Sequence, residues 1–135
     1  MPAAPFSFHV LAKPFGPICN LQCSYCYYTR KKELYPPPHE FRMPEAVLES
    51  FIRQYIESQP VPEVVFGWQG GEPTLLGIEF FRRAVECQKA LCPKELALEN
   101  SLQTNGILLD DAWCEFLAEN DFLVGLSLDG PPECH

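Results

Sequence analysis

Three cysteines lie close together near the start of this 135-residue chain. Their spacing is Cys19-x-x-x-Cys23-x-x-Cys26, and no fourth cysteine lies nearby in the sequence. Structural zinc takes four ligands, commonly from two separated Cys-x-x-Cys pairs, so this spacing disfavours zinc. Three thiolates on a 4Fe-4S cluster would instead leave one iron free to take a ligand that is not protein. The spacing therefore favours an iron–sulfur cluster with one open coordination position.

The other four cysteines carry no such pattern; they are Cys87, Cys92, Cys114 and Cys134. The total of seven is odd, and residues 1–5 lack the basic region of a signal peptide, so metal or redox chemistry is favoured over a disulfide framework. Cys87 and Cys114 fall in stretches with helical periodicity, where we expect buried thiols and not cluster ligands. Cys134, near the C-terminus, supports no interpretation.

A second candidate segment for ligand binding is Gly70-Gly71-Glu72-Pro73. Two glycines without side chains let backbone carbonyl groups approach a ligand closely, although Gly-Gly followed by Pro also occurs in ordinary turns. Ser127 and Asp129 stand where an apolar run ends, and a hydroxyl there could contact a polar ligand. Capping of a strand end is the alternative for these two residues.

Four extended apolar runs predict β-strands, at residues 6–12, 64–68, 96–103 and 122–128. The last run is nearly continuous in apolar residues, as expected of a strand covered on both faces. Residues 36–38 are three consecutive prolines, which lack N–H donors and therefore mark a loop.

Three stretches between these strands have helical periodicity. The first begins at Pro44 and stops before Pro60, and the third is capped by Asp110. The second is ended by Pro93. The apolar stripes predicted for the three helices are Val47, Phe51 and Tyr55; Phe81, Ala84, Val85 and Gln88; and Trp113, Phe116 and Leu117.

The order βαβαβαβ predicts a parallel sheet with right-handed crossovers, in an α/β fold of about four strands and three helices. Ligands of such sheets collect beyond the carboxyl ends of the strands, where the cysteines, the glycine segment, residues 104–106 and residues 129–131 all fall. No helix is predicted after the fourth strand, which would leave a bare apolar edge. We interpret this as an incomplete barrel, with a natural four-stranded open sheet as the alternative.

Composition excludes several classes of protein. The chain has 10 basic and 18 acidic residues, a net charge of -8, and 47% hydrophobic residues. Intrinsic disorder is excluded by this apolar content, and the acidic balance argues against nucleic-acid binding through bulk charge. No apolar run approaches the roughly 18 residues of a membrane span. We expect a single domain in the cytoplasm.

Residues 19–26 resemble the signature of the radical S-adenosylmethionine (SAM) enzymes, in which an aromatic residue typically precedes the last cysteine, as Tyr25 does here. The resemblance implies the N-terminal portion of a partial TIM-like (βα)6 barrel. It implies that the open iron binds SAM and that one electron cleaves SAM to a 5'-deoxyadenosyl radical. The residues it implies as SAM contacts are Gly70, Gly71, Glu72 and Ser127, to which we add Asp129 at the same strand end. Tyr25 is expected to contact the adenine, because it lies between two cluster ligands, with packing against the barrel floor as the alternative. From the glycine segment we expect Gly71→Val to weaken SAM binding without loss of iron.

Longer matching pieces resemble the N-terminal part of the anaerobic sulfatase-maturating enzymes, which carry a cysteine-rich SPASM domain; the pieces are residues 13–14, 26–28, 66–75, 103–106 and 125–131. This resemblance implies oxidation of a cysteine or serine of a sulfatase to Cα-formylglycine by abstraction of a Cβ hydrogen atom. The implied partners are an unfolded or nascent sulfatase polypeptide and an electron donor such as flavodoxin or ferredoxin. Gln103 and Asn105 would face the substrate, with a turn at Asn105-Gly106 as the alternative.

We expect residues 1–135 to be an incomplete radical SAM core domain. The C-terminal half of the barrel, the SPASM domain, the catalytic base and the auxiliary-cluster cysteines would all lie beyond His135, so the chain alone is expected to be inactive. Two other functions remain open, a different SPASM-type enzyme that modifies peptides and a non-catalytic iron–sulfur or zinc module. The glycine segment argues against the module, since the module would need only the cysteines.

Overall fold

Four parallel strands form one sheet in the computed structural model, which describes residues 3–131 and 133. The strands are β1 Val10–Ala12, β2 Glu63–Trp68, β3 Ala97–Thr104 and β4 Leu123–Leu126. They stand side by side in chain order. The helices between them are α1 Glu45–Ser58, α2 Ile78–Leu91 and α3 Asp111–Glu119. The predicted βαβαβαβ order and parallel pairing are confirmed.

The core lies between the sheet and these helices. Strand β2 buries Val64, Phe66 and Trp68, as the period of two along a strand requires. Short 3-10 helices, Thr29–Leu34 and Pro73–Leu76, follow the cysteines and the glycine segment. Of the helices that the structure describes, none is long and apolar enough to cross a membrane.

Helices α2 and α3 bury the side chains predicted for them, but the stripe predicted for α1 is partly wrong. Val47 is half exposed, and the buried residues are Leu48, Ile52, Tyr55 and Ile56. The four-residue spacing alone did not fix which side of α1 faces the sheet. The predicted cap of α3 is present, since Asp110 Oδ1 accepts from the backbone N–H of Trp113 at 2.9 Å.

Two further predictions need correction. The first strand was predicted from residue 6 but begins at Val10, because the Phe8 backbone bonds to side chains of Tyr55 on α1 and of Gln59 just after it instead of to β2. The Phe8 carbonyl accepts from Tyr55 Oη at 3.2 Å and from Gln59 Nε2 at 2.9 Å. Cys87 is buried as expected, whereas Cys114 is exposed because other residues occupy the buried face of α3.

The fourth strand is not covered on both faces in the described residues, since Leu123 is 74% exposed and Leu126 is 57% exposed. The apolar side chains of β4 therefore form a surface that no other described part of the chain covers. Within residues 3–131 and 133, β4 is the expected bare apolar edge of the sheet.

A buried polar network holds the carboxyl end of β2 against α2 and β3. Trp68 Nε1 and Gln88 Nε2 donate to Asn100 Oδ1 at 2.8 and 2.9 Å, and Asn100 Nδ2 donates back to Gln88 Oε1 at 2.9 Å. Each of these buried polar atoms is thereby satisfied, as burial requires. The network fixes Trp68, the residue immediately before the Gln69-Gly70-Gly71 turn.

Candidate functional site

The loops that follow the four strands meet at one edge of the sheet around a cavity of about 280 Å³. This is the edge where parallel sheets bind ligands. Every residue predicted to bind the cluster, SAM or the substrate lines this cavity. These residues are Cys19, Cys23, Tyr25, Cys26, Gly70, Gly71, Glu72, Gln103, Asn105, Ser127 and Asp129.

The loop that carries the cysteines continues the pairing of β1 with β2 beyond the strands. Gly71 N donates to Gly16 O at 2.8 Å, and Glu72 N donates to Ile18 O at 2.7 Å. Cys26 N donates to Cys23 O at 3.0 Å, which closes a turn between these two cysteines. The backbone thus delivers three half-buried thiols to the cavity.

Gly71 is required by this backbone pairing. A Cβ built on Gly71 would collide with the carbonyl oxygen of Ile18, next to Cys19. The expectation that Gly71→Val spares iron is therefore not supported. Gly71 lets two protein loops approach each other, which the sequence did not reveal.

The cysteine set fits an iron–sulfur cluster better than a single metal ion. Within the described residues, no three His, Cys, Asp or Glu side chains are grouped as a site for a metal ion. A zinc site requires ligands that converge on one ion, whereas the three thiolates of a 4Fe-4S cluster bind three different irons. Three thiols spread around one cavity suit the second arrangement.

Local hydrogen bonds favour the thiolate form of Cys26. Burial raises the pKa of Cys26, but hydrogen bonds from the backbone N–H groups of Thr29 and Tyr28 and from the Thr29 hydroxyl lower it. The lowering outweighs the effect of burial, so the pKa of Cys26 lies below its usual value. Iron binds the thiolate, so the local backbone prepares this ligand.

Glu72 lies 1% exposed between the ends of β2 and β3 and accepts four hydrogen bonds. Its Oε1 accepts from the Thr74 backbone N–H at 3.0 Å, the Thr74 hydroxyl at 2.5 Å and the Thr104 hydroxyl at 2.8 Å. Its Oε2 accepts from the Asn105 backbone N–H at 2.8 Å. Sequence reasoning singled out Glu72 only as a SAM contact and missed this bracing of two loops.

Asn105 and Gln103 make contacts within the protein. Asn105 Nδ2 donates to Asn20 Oδ1 at 2.8 Å and lies 3.8 Å from Cys19 Sγ. Gln103 Nε2 donates to Ser127 Oγ at 2.9 Å, and its amide occupies the space that a Cβ on Gly125 would need. The side chain of Gln103 thus links the carboxyl ends of β3 and β4.

Tyr25 connects the cysteine loop with the end of β4. Its hydroxyl donates to Asp129 Oδ2 at 2.5 Å, and this hydrogen bond is the main reason that the pKa of Tyr25 is raised. The two residues are 104 positions apart in the chain, so sequence reasoning did not pair them. Both were predicted as SAM contacts, and the structure places both on the cavity.

Six residues that line the cavity were missed as candidates: Lys13, Leu21, Tyr27, Tyr28, Gln69 and Thr104. Lys13 Nζ lies 3.8 Å from the centroid of the Tyr28 ring, a cation–π contact. Lys13 and Gln69 each stand one residue after a strand. Their position at strand ends was the signal that could have identified them.

Comparisons with known proteins agree with this geometry. The chain is 46% identical over 134 residues to a serine-type anaerobic sulfatase-maturating enzyme of Bacteroides thetaiotaomicron, covering 98% of this chain and 32% of that protein. It is 44% identical over 126 residues to a cysteine-type anaerobic sulfatase-maturating enzyme of Clostridium perfringens, covering 93% and 34% respectively. The chain therefore spans about a third of the length of these curated relatives.

A solved structure of native anSMEcpe with bound AdoMet (SAM) and Cp18Cys peptide has a TM-score of 0.82 to this chain at 43% identity. The match covers 94% of this chain and 33% of that one. Residues 14–134 match the sequence profile of the Radical SAM superfamily. Since that profile extends over nearly all of the sequence, the chain belongs to the radical SAM superfamily.

Proposed function

We propose that this chain is the cofactor-binding part of a radical SAM oxidoreductase that oxidises a cysteine or serine of a sulfatase to Cα-formylglycine. The observation that carries the proposal is the single cavity that gathers every predicted site residue at the carboxyl edge of the sheet. Two curated relatives with 44% and 46% identity are sulfatase-maturating enzymes, which supports the same reaction. The catalytic base and auxiliary clusters are proposed to belong to segments that those relatives carry beyond the matched third.

Cys19, Cys23 and Cys26 would hold the 4Fe-4S cluster. When bound, the cluster supplies the electron for reductive cleavage of SAM at its open iron. The chain's own contribution is to hold three thiols around one cavity and to favour the thiolate at Cys26. The hydrogen bonds between residues 16–18 and the glycine segment keep this loop at the edge of the sheet.

SAM would occupy the cavity between the cysteine loop and the ends of β2 and β4. We assign its contacts to Tyr25, the backbone of Gly70 and Gly71, Ser127 and Asp129. Glu72 would act differently from a direct side-chain ligand, because its carboxylate already accepts four hydrogen bonds from the protein. It holds the glycine segment and Asn105 in place, while its backbone N–H donates to Ile18 O at 2.7 Å and its carbonyl accepts from Leu75 N at 3.3 Å.

The substrate peptide would approach the same cavity beside Gln103. Gln103 is exposed and lies on the cavity, and an amide can pair with a peptide backbone. Asn105 is the weaker candidate, because it is half-buried and its amide nitrogen already contacts Asn20 and Cys19. Gln103 is exposed, and its amide nitrogen donates to Ser127. A positioning role for Gln103 fits the need to hold the reacting Cβ hydrogen close to the radical carbon.

The proposed partners are an unfolded or nascent sulfatase polypeptide and a reductant such as flavodoxin or ferredoxin. We place the protein in the cytoplasm, since an iron–sulfur cluster with an open iron needs a reducing compartment.

The reaction is tested in a protein that extends this chain through the segments its relatives carry. With a reductant and SAM, we expect a sulfatase-motif peptide to be converted to an aldehyde with release of 5'-deoxyadenosine, measured by peptide mass. Gln103→Ala should lower aldehyde formation more than SAM cleavage, because the peptide is then poorly positioned. Gln54→Ala, on the exposed face of α1, serves as the matched control and should leave both unchanged.

SAM cleavage without aldehyde on cysteine and serine peptides alike would favour the alternative of another SPASM-type enzyme that modifies peptides. Absence of SAM cleavage, despite a full complement of iron, would favour the non-catalytic iron–sulfur module.

A further inference from the structure

The side chain of Asn105 lies against the first cysteine of the loop. Its Nδ2 is 3.8 Å from Cys19 Sγ, and the backbone N–H of Leu21 donates to the same sulfur at 3.4 Å. Because sulfur is a large atom and a weak acceptor, hydrogen bonds to it are longer than those to oxygen. Cys19 is thus approached by a donor from its own loop and by one from the end of β3.

The position of this amide is fixed by groups other than Cys19. Asn105 Oδ1 accepts from the backbone N–H of Ile107 at 3.1 Å, and the Asn105 backbone N–H donates to buried Glu72 at 2.8 Å. Asn20 Oδ1 accepts from Nδ2 at 2.8 Å. These contacts orient the amide so that its nitrogen faces the cysteine loop.

The hydrogen bonds that Cys19 Sγ can make change when the sulfur binds iron. A thiol can donate a proton, and Cys19 Sγ lies 3.8 Å from Asn20 Oδ1. A thiolate ligand has no proton and can only accept. The nitrogen of Asn105 carries two N–H groups, so it can bond to Asn20 and still donate to the thiolate. The site therefore offers a donor that suits the iron-bound form of Cys19.

We propose that Asn105 is a positioning residue that raises the reduction potential of the cluster by donating a hydrogen bond to the Cys19 thiolate. The inference rests on the proposed function, because it takes the cluster as the cofactor. Donors to ligand sulfurs stabilise the reduced cluster, which carries the extra negative charge. Asn105 thereby acts on the electron-transfer step and not on the substrate peptide.

The key variant is Asn105→Asp, measured in the full chain after anaerobic reconstitution with iron and sulfide. Asp keeps the shape, an oxygen for the Ile107 N–H and the backbone N–H for Glu72, but it replaces the donor nitrogen by a charged oxygen. We expect nearly full iron content and a more negative midpoint potential, measured by redox titration of the cluster's electron paramagnetic resonance signal. Asn105→Ala should shift the potential in the same direction but less, since it adds no charge.

Thr104→Val is the control for general loosening of this turn. It removes a hydroxyl that donates to Glu72 at 2.8 Å and accepts from Gly106 N at 3.0 Å, yet it leaves the Asn105 amide intact. The midpoint potential of this variant should match that of the parent. An equal shift in Thr104→Val and Asn105→Ala would overturn the proposal, as would full iron with no shift in either Asn105 variant.

Loss of iron from both Asn105 variants would show that Asn105 is needed to hold the cysteine loop together, and this result would also overturn the proposal. If the unmutated chain binds no cluster, the proposed function itself fails. A normal cluster in the parent, with unaltered potentials in the variants, rejects this inference alone.

Discussion

Glu72 should be among the costliest residues to replace in this chain, although it lies in a loop at the ligand-binding edge. In Glu72→Ala the backbone N–H groups of Thr74 and Asn105 lose their acceptor inside the protein. A buried donor left unpaired costs about 1 to 3 kcal/mol, so the two together cost at most about 2 to 6 kcal/mol, with the part-buried Asn105 N–H contributing the smaller share. The threonine hydroxyls are left out of this sum because they can rotate toward other partners.

A loss of this size is a large share of the stability of an ordinary domain, about 5 to 15 kcal/mol. Glu72→Gln should cost less than Glu72→Ala. With its nitrogen at the Oε2 position, the glutamine amide faces only the Asn105 N–H with a donor, so one backbone N–H is left unpaired instead of two. Urea unfolding followed by circular dichroism gives the free energy of unfolding of each variant.

Glu86→Ala is the matched control. The Glu86 side chain is 68% exposed and lies 3.5 Å from Arg83 on the surface of α2. Such an exposed pair contributes less than about 0.5 kcal/mol. A Glu72→Ala variant that loses no more stability than Glu86→Ala would refute the bracing role.

Two other predictions concern iron. After anaerobic reconstitution, alanine at any one of the three loop cysteines should remove most of the bound iron, since each cysteine supplies one of the three protein ligands. Cys87→Ala should keep the iron content of the parent, because Cys87 is buried on α2. Equal losses in all four variants would reject the ligand assignment. Gly71→Ala should also lower the iron content, because its methyl group would collide with Ile18 O beside Cys19. Gly77→Ala is the comparison, since a Cβ there meets nothing within 4 Å, and its iron content should stay at the level of the parent even though its φ of 84° adds strain.

The sequence was sufficient for the order of elements and for the edge where the site lies. Alternation of apolar runs with helical periodicity, as in the stretches around Phe66 and Phe81, determines a parallel α/β sheet, and such sheets place their ligands beyond the carboxyl ends of the strands. Residues that share one loop, such as the cysteines, could be recognised from spacing alone. The bounds of β1 could not, because they depend on the hydrogen bonds that Phe8 makes with α1.

Contacts between loops that are distant in the chain could not be predicted from the sequence. Tyr25 meets Asp129, and Glu72 holds Asn105, only because the sheet register aligns the ends of the strands. The requirement for Gly71 likewise comes from the approach of another backbone segment and not from the ligand. Local patterns encode which residues are polar at a strand end, but the register decides which of them touch.

The measurement that tests the central claim most directly is electron paramagnetic resonance of the reduced cluster with and without SAM. The reconstituted chain should give one 4Fe-4S signal, and SAM should change it, because SAM would bind the iron that lacks a protein ligand. A 4Fe-4S signal that stays the same on addition of SAM would contradict the account and identify a passive cluster.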